Sequence, residues 1–179
     1  MRTGATWTQQ QKLTASSPGA GDNFGQQVWM SGDLALASAP GDDDRGSDAG
    51  AVYVLNRTGS VWSHQQKVTA SDGAASDAFG AALSGGKDTA LVGANLNDAR
   101  GANSGAAYIF SRSGTTWTEQ QKLTAPDGLK DNRFGEALAF AEDMALVGAP
   151  RHTSTGARSG AAYLFARSGS VWSLNQKVT

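Results

Sequence analysis

The stretch that decides the fold is residues 79–125, FGAALSGGKDTALVGANLNDARGANSGAAYIFSRSGTTWTEQQKLTA. Four short apolar-patterned segments stand out in it: Phe79 to Leu83, Thr89 to Ala94, Ala106 to Phe110 and Thr116 to Leu123. Clusters of Gly, Asp, Asn and Ser separate them, and segments of about 5–8 residues punctuated in this way read as β-strands. In the last segment Trp117, Glu119, Gln121 and Leu123 alternate with Thr118, Gln120, Lys122 and Thr124. That pattern suits an outer strand with one partly apolar face. No window of helical length carries a 3.6-residue apolar period, so the chain reads as all-β.

The same pattern recurs on both sides of this stretch. Trp7, Trp62, Trp117 and Trp172 are 55 residues apart each time. Phe24, Phe79 and Phe134 keep that spacing, each followed by Gly, and so do Tyr53, Tyr108 and Tyr163. Lys12, Lys67, Lys122 and Lys177 share it, as do Arg57, Arg112 and Arg167. The second segment is nearly continuously apolar in each copy. Met144-Ala145-Leu146-Val147-Gly148-Ala149 is therefore expected to be buried on both faces. Four antiparallel strands per repeat of this length describe a β-propeller blade. If Phe-Gly opens the innermost strand, the blades span approximately 24–70, 79–125 and 134–179, and residues 6–15 form a surplus outer strand.

Composition bounds the rest. The chain has 179 residues, 15 basic against 16 acidic side chains, and no cysteine. Near-neutral charge gives no basic footprint for nucleic acid. The absence of cysteine excludes disulfides, thiolate zinc sites and cysteine catalysis. No apolar run reaches the ~18 residues of a membrane span, so membrane insertion is not expected. Met1-Arg2-Thr3-Gly4 does not open a signal peptide.

Several of these motifs together resemble the FG-GAP repeat, the blade unit of integrin α-subunit propellers and of many bacterial surface and secreted proteins. Phe24-Gly25, Phe79-Gly80 and Phe134-Gly135 match its FG element. Val147-Gly148-Ala149-Pro150, Val92-Gly93-Ala94-Asn95 and Ala37-Ser38-Ala39-Pro40 match its GAP element. Gly-Ala-Val-Tyr-Val at 50–54 and its counterparts at 105–109 and 160–164 complete the likeness. The resemblance implies a secreted or cell-surface setting and protein or glycan ligands. Calcium-binding blades of that family carry a D-x-D-x-D-G loop between the FG and GAP strands. Here that connection holds Asp33, Asp88 or Glu142-Asp143 only, too few oxygens for calcium. No metal or cofactor is expected, and Asp33, Asp88 and Asp143 read as hairpin-turn residues.

The longest loops, 16–23, 71–78, 126–133 and 41–49, 96–104, 151–159, should emerge on one face, the default binding face. Its candidate ligand residues are Asp42, Asp43, Asp44, Arg45, Asp48, Asp98, Arg100, Arg151 and His152. Asp42 to Asp48 packs four carboxylates into seven residues, but the aligned stretches, Asn97 to Arg100 and His152 to Thr155, do not repeat it. Asp22, Asp77 and Asn132 stand two residues before each FG and read as turn-fixing acceptors. Neither histidine has an aligned partner, and no nucleophile or phosphate-loop motif is present. The expected function is a non-catalytic binding or scaffold module. The alternatives are a polysaccharide hydrolase or lyase, and a structural segment of a longer protein. Three blades leave two apolar sheet faces uncovered. The chain is thus expected to self-associate, two copies giving six blades, or to join further blades of a longer chain.

Overall fold

In the computed structural model, residues 2–153 and 158–179 are described. Fourteen strands run in order: β1 (Arg2–Thr3), β2 (Thr6–Trp7), β3 (Val28–Ser31), β4 (Leu34–Ala39), β5 (Ala51–Thr58), β6 (Val61–Val68), β7 (Ala82–Gly85), β8 (Thr89–Ala94), β9 (Ala106–Ser113), β10 (Thr116–Leu123), β11 (Ala137–Ala141), β12 (Met144–Ala149), β13 (Ala161–Ser168) and β14 (Val171–Val178). β3 to β6, β7 to β10 and β11 to β14 form three four-stranded antiparallel sheets, each a simple meander. The protein is all-β and propeller-like, with one sheet per repeat. Of the expected extra strand over residues 6–15, Thr6 and Trp7 are ladder-paired, in a tight hairpin with β1.

The hydrophobic core lies between the sheets. Leu34, Leu36, Val52 and Val54 of the first sheet meet Phe79, Tyr108, Phe110 and Trp117 of the second. Leu91, Ile109 and Leu123 on the far side of the second sheet meet Phe134, Tyr163, Phe165 and Trp172 of the third. Each blade therefore turns an aromatic face to the preceding blade and an aliphatic face to the following one. Burial follows. β8, in the middle sheet, is buried at all six positions, as expected. β12 alternates instead, with Leu146 exposed, because among the described residues nothing covers the far face of the third sheet.

Two devices close each seam. First, the FG pair does not open the inner strand, as the sequence suggests. It forms a turn ahead of it and stacks on the preceding blade. The Phe79 amide donates to Ala49 O (2.9 Å) and the Phe134 amide to Ser104 O (2.9 Å). Both lie over a glycine. A Cβ on Gly50 would collide with Phe79 N and O, and one on Gly105 with Phe134 N and O. Both glycines also hold left-handed φ, +90° and +85°, which disfavours any other residue. Gly93 likewise abuts the Gly135 carbonyl.

Second, the outer strands are bulged. In β10 the register skips a residue between Glu119 and Gln121, and β6 and β14 skip at the equivalent place. Strict alternation would put Trp117 and Gln121 on one face. The bulge sends Trp117 to the preceding blade and Gln121 to the following one. There the glutamine amide reads a tryptophan backbone in both senses. Gln66 donates to Trp117 O (2.8 Å) and accepts from Trp117 N (2.8 Å). Gln121 does the same with Trp172 at 2.7 and 2.9 Å. Gln11 repeats the clamp on Trp62 at 2.9 and 2.9 Å, so residues 10–14 lie where a preceding blade's outer strand would lie.

Candidate functional site

The two loop families do share a face, and they interlock. Ser76 N donates to Ser47 O (2.7 Å) and Ala78 N to Asp48 O (3.1 Å). One repeat later Asp131 N donates to Ala102 O (2.8 Å) and Arg133 N to Asn103 O (3.1 Å). Left-handed backbone recurs at matching places, Asn23, Ala78 and Arg133, and Asp48, Asn103 and Arg158. Such positions cost energy and persist only where surroundings fix them. These bonds and turns tie the described loops of the face into one frame. Asp22, Asp77 and Asn132 hold its turns by accepting from the amides of Gly19 (2.7 Å), Ala74 (3.0 Å) and Leu129 (2.8 Å).

Much of the acidic cluster is absorbed by this frame. Asp42 is buried and paired with Lys67 Nζ at 2.6 Å, and its other oxygen accepts from Asp44 N. Asp44 also binds Lys67 (2.6 Å), while Asp43 accepts from Asp48 N (2.8 Å) and fixes the loop. In the second repeat Asn97 and Asp98 do the same work. Asn97 accepts from Ala99 N and Lys122, and Asp98 from Asn103 N. In the third repeat His152 fills the position of Asp42 and Asn97. It is buried, with Nε2 3.3 Å from Asp127 Oδ2 but outside hydrogen-bond geometry. Ser154 and Thr155 lie outside the described residues. Among the described residues no group of three or more His, Asp or Glu is placed to hold a metal ion.

Under the second and third loop clusters sits a lysine–tyrosine–acid unit, while in the first Tyr53 bonds Ser17 instead and Lys67 pairs with Asp42 and Asp44. Lys67, Lys122 and Lys177 lie over the rings of Tyr53, Tyr108 and Tyr163 at 5.5, 5.4 and 5.7 Å. Tyr108 donates to Asp72 (2.8 Å) and Tyr163 to Asp127 (2.7 Å). Lys122 and Lys177 bind the same acids at 2.7 and 2.6 Å. Burial alone would raise the Asp127 carboxyl. The hydrogen bonds from Lys177 and Tyr163 outweigh it and bring the pKa down to about 2. Asp72 is lowered for the same reasons. Burial and then the adjacent carboxylates push the Tyr108 and Tyr163 hydroxyls up. Burial would lower Lys67, but its bonds to Asp42 and Asp44 hold it above the usual lysine value. Tyr108 and Tyr163 therefore stay neutral, and Lys67 charged, across the physiological range.

What remains exposed on the loop face is a set of mixed charges: Asp43, Asp44, Arg45, Asp48, Asp98 and Arg100. Arg151 is half-buried. Arg45 and Arg100 hold equivalent places, each with its Cβ close to a loop glycine, Gly73 or Gly128. The structure thus brings six of the nine candidate residues to the surface and withdraws Asp42 and His152 into the frame.

The family model described as FG-GAP repeat matches residues 7–55, 62–110 and 117–165, three tandem copies over most of the chain. The chain belongs to the FG-GAP repeat family. No curated protein matches it. FG-GAP repeats are typical of extracellular proteins. No helix of this FG-GAP chain is long and apolar enough to cross a membrane among the described residues.

Two further units of the FG-GAP blade escape a reading for chemistry. Opposite the loop face, Asp33, Asp88 and Asp143 do sit in hairpin turns, and each accepts from the Nε of Arg57 (2.7 Å), Arg112 (3.0 Å) or Arg167 (2.7 Å). Those guanidinium groups lie 5.6, 5.8 and 5.7 Å from the ring centroids of Trp62, Trp117 and Trp172. The tryptophans are structural packing groups here. The indole N–H groups of Trp117 and Trp172 are buried without a partner, contrary to the expectation for buried tryptophan. The signal for both units was the shared 55-residue spacing of Trp and Arg. The same spacing in Gln11, Gln66, Gln121 and Gln176 marks the clamp.

Proposed function

We propose that this FG-GAP chain is a non-catalytic binding or scaffold module of an extracellular or cell-envelope protein, and that its loop face binds a protein or glycan. The observation that carries this reading is the division of labour on that face. Asp42, His152, Asn97 and the lysine–tyrosine–acid units build a rigid frame. Asp43, Asp44, Arg45, Asp48, Asp98 and Arg100 project from it into solvent. Rigid loops carrying exposed charge bind at low ordering cost. Arg45 and Arg100 are the cationic contacts, with Arg151 at their edge, and Asp48 and Asp98 are the anionic ones.

The test is a glycan array and an extracellular-protein array probed with the purified chain, with and without EDTA. The reading expects a ligand that binds equally well in chelator and is lost when Arg45 and Arg100 are both changed to Glu. Binding indifferent to that charge reversal would reject the assigned face. Turnover of a labelled polysaccharide would replace the module with a hydrolase or lyase.

A further inference from the structure

The seam between sheets is built from a glycine receptor on one blade and an FG pair on the next, and the third sheet carries the same receptor facing outward. Gly160 stands where Gly50 and Gly105 stand in the earlier repeats and has the same left-handed backbone, φ +82°. Yet among the described residues a Cβ on it would meet nothing nearer than Pro150 at 3.4 Å. Gly148, the counterpart of Gly93, faces only its own neighbour Ala137. Together they line an apolar surface groove with Ala149, Ala162 and Val178. Leu146 shows the same incompleteness. It is 40% exposed, while its counterparts Leu36 and Leu91 are buried at 1% and 0%.

The opposite end of the molecule carries the matching half. Phe24-Gly25 is the one FG pair with no receptor before it among the described residues. Its ring is half-buried against Tyr53, where Phe79 and Phe134 are fully buried. Val28 and Met30 beside it are 71% and 67% exposed. Val28's counterpart Leu83 packs against the core.

We propose that the Gly148–Gly160 groove of one chain receives Phe24-Gly25 of a second copy, and that two such contacts close a head-to-tail dimer. The contact continues the seam already present twice within the chain, using the same glycines, the same FG pair and the same aliphatic-to-aromatic packing. It also supplies the fourth glutamine. Gln176 is exposed and clamps no tryptophan among the described residues, whereas Gln66 and Gln121 each clamp one.

The clamp adds a condition. In a seam repeating the other two, Gln176 of one copy must take Trp62 of the other, and Gln11 already holds Trp62. The strand β14 of one copy and residues 10–14 of the other compete for one place. Exchanging one amide clamp for another is nearly even in hydrogen bonding. Burial of the two apolar faces then drives association. The N-terminal segment thus acts as a removable cover on the first sheet.

The experiment is sedimentation equilibrium of the full chain over a range of micromolar concentrations. The expected result is a reversible dimer. Leu146→Glu should weaken it by roughly a hundredfold or more, since the carboxylate would be buried unpaired in the seam. Leu146 is surface-exposed in the single chain, so the melting of the dilute monomer should be unchanged. Gln176→Ala should weaken the dimer and Gln11→Ala should strengthen it, opposite signs that a general loss of stability would not produce. A strict monomer, a dimer indifferent to Leu146→Glu, or open-ended growth would each overturn the proposal.

Discussion

The seam between the first and second sheets and the outer face of the third are made from the same sequence positions, yet they differ in burial and in contact. At the seam Leu36 is sealed, Gly50 bears the Phe79 backbone and Gln66 grips Trp117. At the open face Leu146, Gly160 and Gln176 hold the equivalent places with no described residue packed opposite them. The tryptophans grade between the two conditions. Trp7 is 76% exposed, Trp62 is half-buried behind residues 10–14, and Trp117 and Trp172 are each 2% exposed behind a full blade. A blade thus buries both its faces only where a neighbour lies on each side. The repeat encodes the joint as much as the sheet.

The strongest way to break this comparison is to remove the same residue from two environments. Phe79→Ala removes a ring that is fully buried in a seam, and a loss of ~3–5 kcal/mol is expected from denaturant unfolding. Phe24→Ala removes the half-buried equivalent and should cost roughly half as much or less. Equal losses would mean that the seam contributes nothing beyond the blade itself. Gln66→Ala should come next, at about 1–3 kcal/mol, because it strands the Trp117 amide and carbonyl. Gln176→Ala in the dilute monomer should stay within about 0.5 kcal/mol.

These pairs also show what the sequence made legible. The period was plain because every repeat keeps its aromatic, Arg and Lys positions in register, and it carried the blade architecture directly. The strands β8 and β10 were placed to the residue. The FG pair was misplaced because a Phe beside apolar residues reads as strand, while its task is backbone contact with a glycine in another repeat. The bulge at Gln120 was hidden because the one-letter alternation runs through it unbroken. β12 was expected to be buried on both faces because composition reports what a strand can bury, not whether a neighbour exists. On the loop face the sequence shows the Asp42 to Asp48 run only as four carboxylates in seven residues. Long-range partners, Lys67 above all, divide its carboxylates into a buried anchor, a turn-former and exposed charges.

Acid should sharpen the comparison on a smaller scale. The Asp127 carboxyl sits at about pKa 2 in the fold, against ~3.9 unfolded. A depressed pKa contributes stability that is present above the unfolded value and lost as pH falls through the folded one. Melting temperature should therefore fall progressively between about pH 5 and pH 2, and Asp127→Asn should flatten that limb. An acid limb unaffected by the substitution would show that the Lys177–Asp127–Tyr163 unit does not couple to folding. The smallest effects belong to the exposed loop. Arg100→Ala should change stability by no more than about 0.5 kcal/mol. Addition of EDTA should leave the melting temperature where it was, and a drop of several degrees would point to a cation held by the acidic loop.

The most direct test of the joint compares Gly105→Ala with Gly160→Ala, both made in the Leu146→Glu chain so that the outer face stays open. The two glycines share a left-handed backbone, φ +85° and +82°, so the conformational cost of a Cβ is common to both. Only Gly105 carries the Phe134 backbone against it. Thermal unfolding should show Gly105→Ala as the markedly less stable of the pair, by several degrees. Equal melting temperatures would contradict the claim that the FG pair of one blade is seated on the glycine of the blade before it.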